Sequence, residues 1–337
     1  MRTKGPFIIA FVLFAASACS KTTATTGTPP TTETVVPMAE VEAPSTTKPA
    51  DLVKSEHELD TIDGLEVLYI GHSFGQPFAR NLEAAAELAG VEGHEQHIIF
   101  QGGENGAPQA MWEAPDQQSI IKERLDTGTV DVVVMICCSR EFIETGGQSD
   151  QAILDISSYA LEQNPDTRIG LAMPWAGYPS TYPSVDEHRA LTDAAWPLYQ
   201  QLAEDIGDEL DAEVFALYHG AAIYEVRDWL EQGLLDDVNS LIGSRENAVF
   251  RDNKGHAGNL AIDAGTLIWL HAIYGTDPLD APALGDHDVD VGEIASAALS
   301  QPTPLCRLSI RRFARDAESP RRSPAPAIHS WVDSRLR

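Results

Sequence analysis

The stretch VLYIGHSFGQP, residues 67–77, decides between two architectures. Its centre, Gly71-His72-Ser73-Phe74-Gly75, fits G-x-S-x-G, the pattern of a strained strand–turn–helix elbow that exposes a serine nucleophile. The same residues also read as an apolar strand closing in a short Gly-x-Ser turn, with Pro77 suited to the first turn of the next helix. Ser73 is a candidate nucleophile in both readings. They differ in where its strand stands in the sheet and in which residues complete the site.

What precedes the stretch favours the second reading. Residues 1–19 carry Arg2 and Lys4, then the apolar run PFIIAFVLFAASA, too short to span a bilayer as a mature helix, then Cys19. This resembles a bacterial lipoprotein signal with Cys19 as the lipid site, although Ala16 stands where Leu is commoner; an ordinary secretory signal is the plainer alternative. Either exports the chain, to a lipid-anchored place in the cell envelope, with Ser20 pointing to the outer membrane, or to the periplasm or medium. Residues 20–58 are rich in Thr, Pro and Glu and read as a flexible tether. Ser73 therefore ends the first strand of a domain expected over 59–280. An α/β-hydrolase elbow follows several earlier strands, so the match to its motif reads as coincidence.

Composition narrows the field. The 337 residues carry 23 basic and 51 acidic side chains, a net charge of −28, with a sequence pI of about 4.5. Such a surface repels phosphate backbones, so nucleic acid is excluded as a partner. Eight arginines and three acids lie beyond residue 300, which leaves 15 basic and 48 acidic residues before it. The basic stretch differs in kind from the body, and residues 281–337 read as a disordered extension. Cys137 and Cys138 are adjacent and read as buried apolar residues, Cys306 lies in the extension, and no cysteine spacing suggests a metal or a disulfide framework. Neither a metal nor a cofactor is expected.

Apolar runs alternate with amphipathic stretches. LEVLYIG, HEQHIIF, VDVVVMI, RIGLAMP and AEVFALY read as strands. Helices are expected over 77–88, 115–125, 149–162, 185–206, 221–232 and 259–274. The pattern predicts a three-layer α/β/α domain with a five-stranded parallel sheet, flavodoxin-like in layout. Ligands of such sheets bind at the carboxyl ends of the strands, where Ser73, Gly102, Cys138 and Pro174 should gather.

A second block, FRDNKGHAGNLAIDAGTLIWLHAIYG, places Asp252 and His256 before the last expected helix. With IGHSF at the start and DNKGHAGNLA at the end, the chain resembles the SGNH (GDSL-type) hydrolase superfamily, particularly its lipoprotein-like members, over roughly residues 64–278. The resemblance implies a serine esterase in which His256 is the base for Ser73 and Asp252 orients the imidazole. Asp252 stands four residues before His256 where the family has three. Gly255 can absorb the extra residue, Asn253 can orient the ring instead, or the carboxylate is missing. The family also implies an oxyanion site from the serine amide, a glycine amide after the second strand and an asparagine after the third. Gly102 or Gly103 meets the glycine requirement. Arg140 stands at the asparagine position, followed by Glu141; it could donate to an oxyanion or simply pair with Glu141, and Asn105 could replace the amide.

The loop MPWAGYPSTYPS offers Trp175 and Tyr178 either as substrate-facing aromatics or as residues packing the loop onto the helices. His72 replaces the family's aspartate and carries no catalytic assignment; His94, His97, His188, His219 and His271 read as structural or surface residues. The expected partner is a small-molecule or glycan ester, with a membrane touched through the lipid anchor alone. Two alternatives stand beside the esterase. One is a degenerate scaffold that binds glycan or envelope. The other is an α/β-hydrolase using Ser73, His256 and Asp228 or Asp236.

Overall fold

The computed structural model describes residues 62–136, 150–281 and 283–301. Cys19, Cys137, Cys138, Arg140, Glu141 and Cys306 lie outside the described residues, as do residues 1–58.

Two strands set the architecture. β2 (Glu66–Gly71) and β5 (Val132–Ile136) are buried almost throughout. A strand with no polar alternation needs cover on both faces, which parallel strands receive from their crossover helices. β2 pairs in parallel with β4 (Glu95–Phe100) on one side and β5 on the other. β6 (Arg168–Ala172) and β7 (Val214–Leu217) complete a five-stranded parallel sheet in the order β4-β2-β5-β6-β7. Side chains alternate as the pleat requires. Val67, Tyr69, Val132 and Val134 enter one core, and Leu68, Ile70, Val133 and Met135 enter the other.

The first face is covered by α1 (Gln76–Leu88), α6 (Gly220–Gln232), α7 (Asn259–Tyr274) and α8 (Val291–Ser300). The second is covered by α2 (Pro108–Glu113), α3 (Pro115–Leu125), α4 (Gln151–Gln163) and α5 (Val185–Leu210). This is the expected three-layer α/β/α fold. Ser184 caps α5, its hydroxyl accepting from the Glu187 amide at 3.3 Å. α7 is apolar on nearly every side, and that fits a helix packed against both the sheet and neighbouring helices.

Two parallel strand pairs escaped the sequence reading: β1 (Ile62–Asp63) with β3 (Val91–Glu92), and β8 (Ser240–Ile242) with β9 (Ala248–Phe250). The second pair matters for the site. β9 runs into the segment carrying Asp252 and His256, and an antiparallel bridge from Phe250 to Ala257 closes that segment into a loop. Among the described residues, no helix is long and apolar enough to cross a membrane.

The domain does not stop at residue 280. α8 packs on α6 and α7 and buries Val291, Ile294, Ala295 and Ala298, so residues up to Gln301 belong to the body rather than to an extension. Gln301 donates to Glu225 on α6 at 2.6 Å. The approach to α8 is pinned by His287, whose Nε2 meets Asp263 at 2.8 Å and whose Nδ1 meets Asp237 at 3.4 Å. Only the protonated ring can donate to both carboxylates.

The hydrogen bond to Asp263 raises the His287 pKa above its ordinary value of 6.5, against the opposing effect of burial. A raised folded-state pKa stabilises the fold fully below the unfolded value, and that contribution fades as pH climbs through the folded value. His287→Asn is therefore expected to lose more stability relative to wild type at pH 5.5 than at pH 8.5, read from urea unfolding midpoints at both pH values.

Candidate active site

Ser73 sits in the turn between β2 and α1. The Gly75 and Gln76 amides both donate to the His72 carbonyl, at 3.1 and 3.2 Å, and the Tyr69 hydroxyl caps the same oxygen at 2.5 Å. That knot fixes the backbone on either side of the serine. The Phe74 amide donates to His72 Nδ1 at 3.3 Å, which leaves Nε2 to carry the imidazole proton. Burial, with the nearby His256 charge as a lesser cause, lowers the His72 pKa to about 4, so it stays neutral beside the serine.

The loop between β9 and α7 brings the partner across 183 positions of sequence. The Ser73 hydroxyl donates to His256 Nε2 at 3.0 Å, and His256 Nδ1 donates to Asp252 Oδ2 at 2.7 Å. The four-residue spacing is accommodated inside the loop. Asp252 Oδ1 accepts the amides of Lys254, Gly255 and His256 at 2.9, 3.2 and 3.3 Å. Gly255 takes φ +99°, a conformation closed to most side chains. One carboxylate thus folds the loop with one oxygen and holds the imidazole with the other.

Burial pushes Asp252 upward, but hydrogen bonds from the His256 side chain and amide outweigh it and hold the carboxyl below its usual value. It is ionised at neutral pH and fixes the ring with Nε2 free to accept.

Asn253 does not orient the ring; its side-chain oxygen accepts from the Ser180 hydroxyl. Asp228 is bonded to Gln232 on α6. The carboxylate at His256 is Asp252, which removes the α/β-hydrolase alternative built on Asp228 or Asp236.

The oxyanion candidates lie on the loop after β4. A 3₁₀ turn spans Gly103–Gly106, with Gly102 before it. Gly102, Gly103 and Asn105 are exposed, and no hydrogen bond among the described residues uses the Gly102 or Gly103 amide. Gly106 brings this loop against the serine turn: a Cβ there would lie 2.7 Å from the His72 Cβ and 2.4 Å from the Gln101 carbonyl oxygen. The sequence reading passed over Gly106, whose signal was present in the run GGENG.

Trp175 is not a substrate-facing aromatic. It is 3% exposed, and one face stacks on Phe74 at 4.5 Å with the planes 7° apart. Its indole N–H donates to the Gly255 carbonyl at 2.8 Å. The indole is therefore committed on its face and at its nitrogen. Tyr178, in contrast, is 60% exposed, and its amide donates to the Lys254 carbonyl at 3.3 Å. His219 is fully buried and donates from Nε2 to the Phe74 carbonyl at 3.0 Å; burial lowers its pKa to about 3.

Among the described residues one group has metal-like spacing, Glu66, Glu95 and His97, at the opposite end of the strands. The Arg124 guanidinium bonds to both Glu66 and His97, so an internal cation already fills that place.

The sheet order, the serine turn after its first strand and the Asp–His loop entering α7 make a three-layer α/β/α architecture with a Ser–His–Asp constellation at the carboxyl ends of the strands. The chain matches no protein-family model and no curated protein. Among solved structures it is similar to a DUF4886 family protein from Bacteroides uniformis, at 14% identity and a TM-score of 0.50, over 74% of this chain and 98% of that one. A lipase/acylhydrolase from Enterococcus faecalis aligns at 11% identity and a TM-score of 0.39 over 63% and 96%. A carbohydrate acetylesterase from Sinorhizobium meliloti aligns at 13% and 0.34 over 63% and 97%. The first of these, at 14% identity, shows likeness of fold alone.

The tight approach at Gly106 makes a testable demand. Gly106→Ala is expected to destabilise the domain by about 1–3 kcal/mol through overpacking, measured by urea unfolding of the folded domain.

Proposed function

We propose that the chain is an exported serine hydrolase that cleaves short acyl esters, acetyl groups on carbohydrate among them, through an acyl-Ser73 intermediate. The observation that carries the reading is the continuous hydrogen-bond chain from Ser73 through His256 to Asp252. Ser73 Oγ attacks the ester carbonyl while His256 Nε2 takes its proton. Asp252 stabilises the imidazolium, which then protonates the departing alkoxide. Water, deprotonated by the same imidazole, releases the acid and restores the serine. The Ser73 and Gly103 amides, with Gly102 and Asn105 on the same loop, are assigned to the oxyanion. Arg140 keeps its sequence-based assignment as a further donor.

The alternative of a degenerate binding module rested on the missing asparagine and on the displaced Asp252; the bond at 2.7 Å to His256 answers the second point, while the asparagine position, Arg140, lies outside the described residues. Export rests on residues 1–19. Under the lipoprotein reading, Cys19 and the tether over 20–58 hold the domain at the envelope, and Tyr178 is an exposed aromatic available to a glycan ester.

Wild-type domain is expected to turn over p-nitrophenyl acetate, and Ser73→Ala to lose at least about a thousandfold in kcat. Equal rates would end the proposal. A fluorophosphonate should label wild type and fail to label His256→Ala.

A further inference from the structure

The loop after β6, residues 174–182, meets the Asp252–His256 loop residue by residue. Trp175 donates its indole N–H to the Gly255 carbonyl at 2.8 Å. Tyr178 donates its amide to the Lys254 carbonyl at 3.3 Å. Ser180 donates its hydroxyl to Asn253. Three successive residues between the catalytic aspartate and histidine are thus gripped from one neighbouring loop.

That loop is itself held by buried polar groups. The Ala176 amide donates to the Tyr224 hydroxyl at 2.8 Å, and the Ala176 carbonyl accepts from His188 Nε2 at 2.8 Å. Arg227, 2% exposed, reaches the Pro179 carbonyl at 3.3 Å and the Tyr182 carbonyl at 2.9 Å, while its Nε pairs with Glu231 at 2.7 Å. Burying a guanidinium is expensive unless its donors are satisfied, and here two of its nitrogens are spent on the conformation of one loop. Tyr178 holds φ +56° and ψ +55°, a left-handed conformation uncommon for a tyrosine and kept where its surroundings impose it.

The same loop reaches the nucleophile. The Phe74 ring, next to Ser73, stacks on Trp175 and presents an edge contact to His256 at 5.6 Å. Phe78 on α1 packs edge-on against Trp175 at 6.0 Å. Trp175 is therefore the one side chain among the described residues that stacks beside the serine and bonds to the histidine loop.

We infer that the 174–182 loop is a positioning cradle for the reaction, with Trp175 setting the distance between Ser73 and His256 and Arg227 holding the cradle's shape from beneath. Neither touches substrate in this role. They act through Phe74 and Gly255, and a displacement of the imidazole by about 1 Å is enough to cost on the order of a hundredfold in rate. The inference rests on the hydrolase reading for its kinetic consequence, but its structural content is independent of turnover.

The decisive variant is Trp175→Phe, which keeps an aromatic ring against Phe74 and deletes the N–H donated to Gly255. The expected result is a fall in kcat of roughly tenfold to a hundredfold with KM within about twofold. Trp175→Ala should fall further. In proton NMR, the low-field resonance of His256 Nδ1–H, bonded to Asp252, should be sharp in wild type and broadened by exchange in Trp175→Phe. A Trp175→Phe protein with wild-type kcat and a wild-type resonance overturns the inference. If wild type shows the resonance and its loss in the variant but no turnover, the esterase reading fails and the cradle stands. Ser180→Ala, an exposed change that leaves the buried packing alone, gives the second test should Trp175→Phe fold poorly. It should broaden the same resonance without shifting the unfolding midpoint, and an unchanged resonance counts against the cradle.

Discussion

β2 and β5 bury both of their faces, and that constraint shapes the rest of the molecule. Strands of this kind need helices above and below, and crossover helices make every strand point the same way. All carboxyl ends therefore emerge at one edge. The register carries the alignment across the sheet, with Gly71 opposite Phe100 and Ile136 opposite Ala172. Ser73, the glycine loop after β4 and the aromatic loop after β6 meet there because the sheet leaves them nowhere else to go. His256 is the exception. It reaches the edge from the loop that leads into α7, a helix whose sides are too apolar to face water.

How much of this was legible depended on the kind of signal. Strand runs such as VVVMI announce themselves, because a covered strand has no polar residue to blur it. Ser73 and His256 were legible as partners through the resemblance of IGHSF and DNKGHAGNLA to the two SGNH blocks, each at the boundary of a periodic segment. Asp252 was harder, since the extra residue before His256 is absorbed by backbone geometry at Gly255 that no spacing rule encodes. α8 was obscured by the acidic run GDHDVDVGE ahead of it, which reads as solvated although His287 within it is clamped between two carboxylates. Trp175 had equal claims as a substrate platform and as packing. The outcome turned on which partner its ring meets, a long-range contact invisible in a linear chain.

The histidines around the site differ in what surrounds them. His72, His188 and His219 all lie close by in the fold, and burial is the leading cause that lowers each, to about 4, 4 and 3. Their ring N–H groups are committed to the backbone or left as neutral donors. His256, by contrast, stands between Ser73 and the Asp252 carboxylate. The others serve as uncharged struts whose cost appears only in acid, where an unfolded chain can bind the protons that the folded one refuses.

Ser73 and His256 stand 183 residues apart, and the histidine arrives on a loop whose grip comes from segments made between them. Synthesis runs from the serine toward the histidine. A chain released early, or one whose final helices have not docked, carries Ser73 without His256 beside it. Under the proposed hydrolase reading, a lone serine hydroxyl is a poor nucleophile, so reactivity waits until the histidine loop has docked beside it.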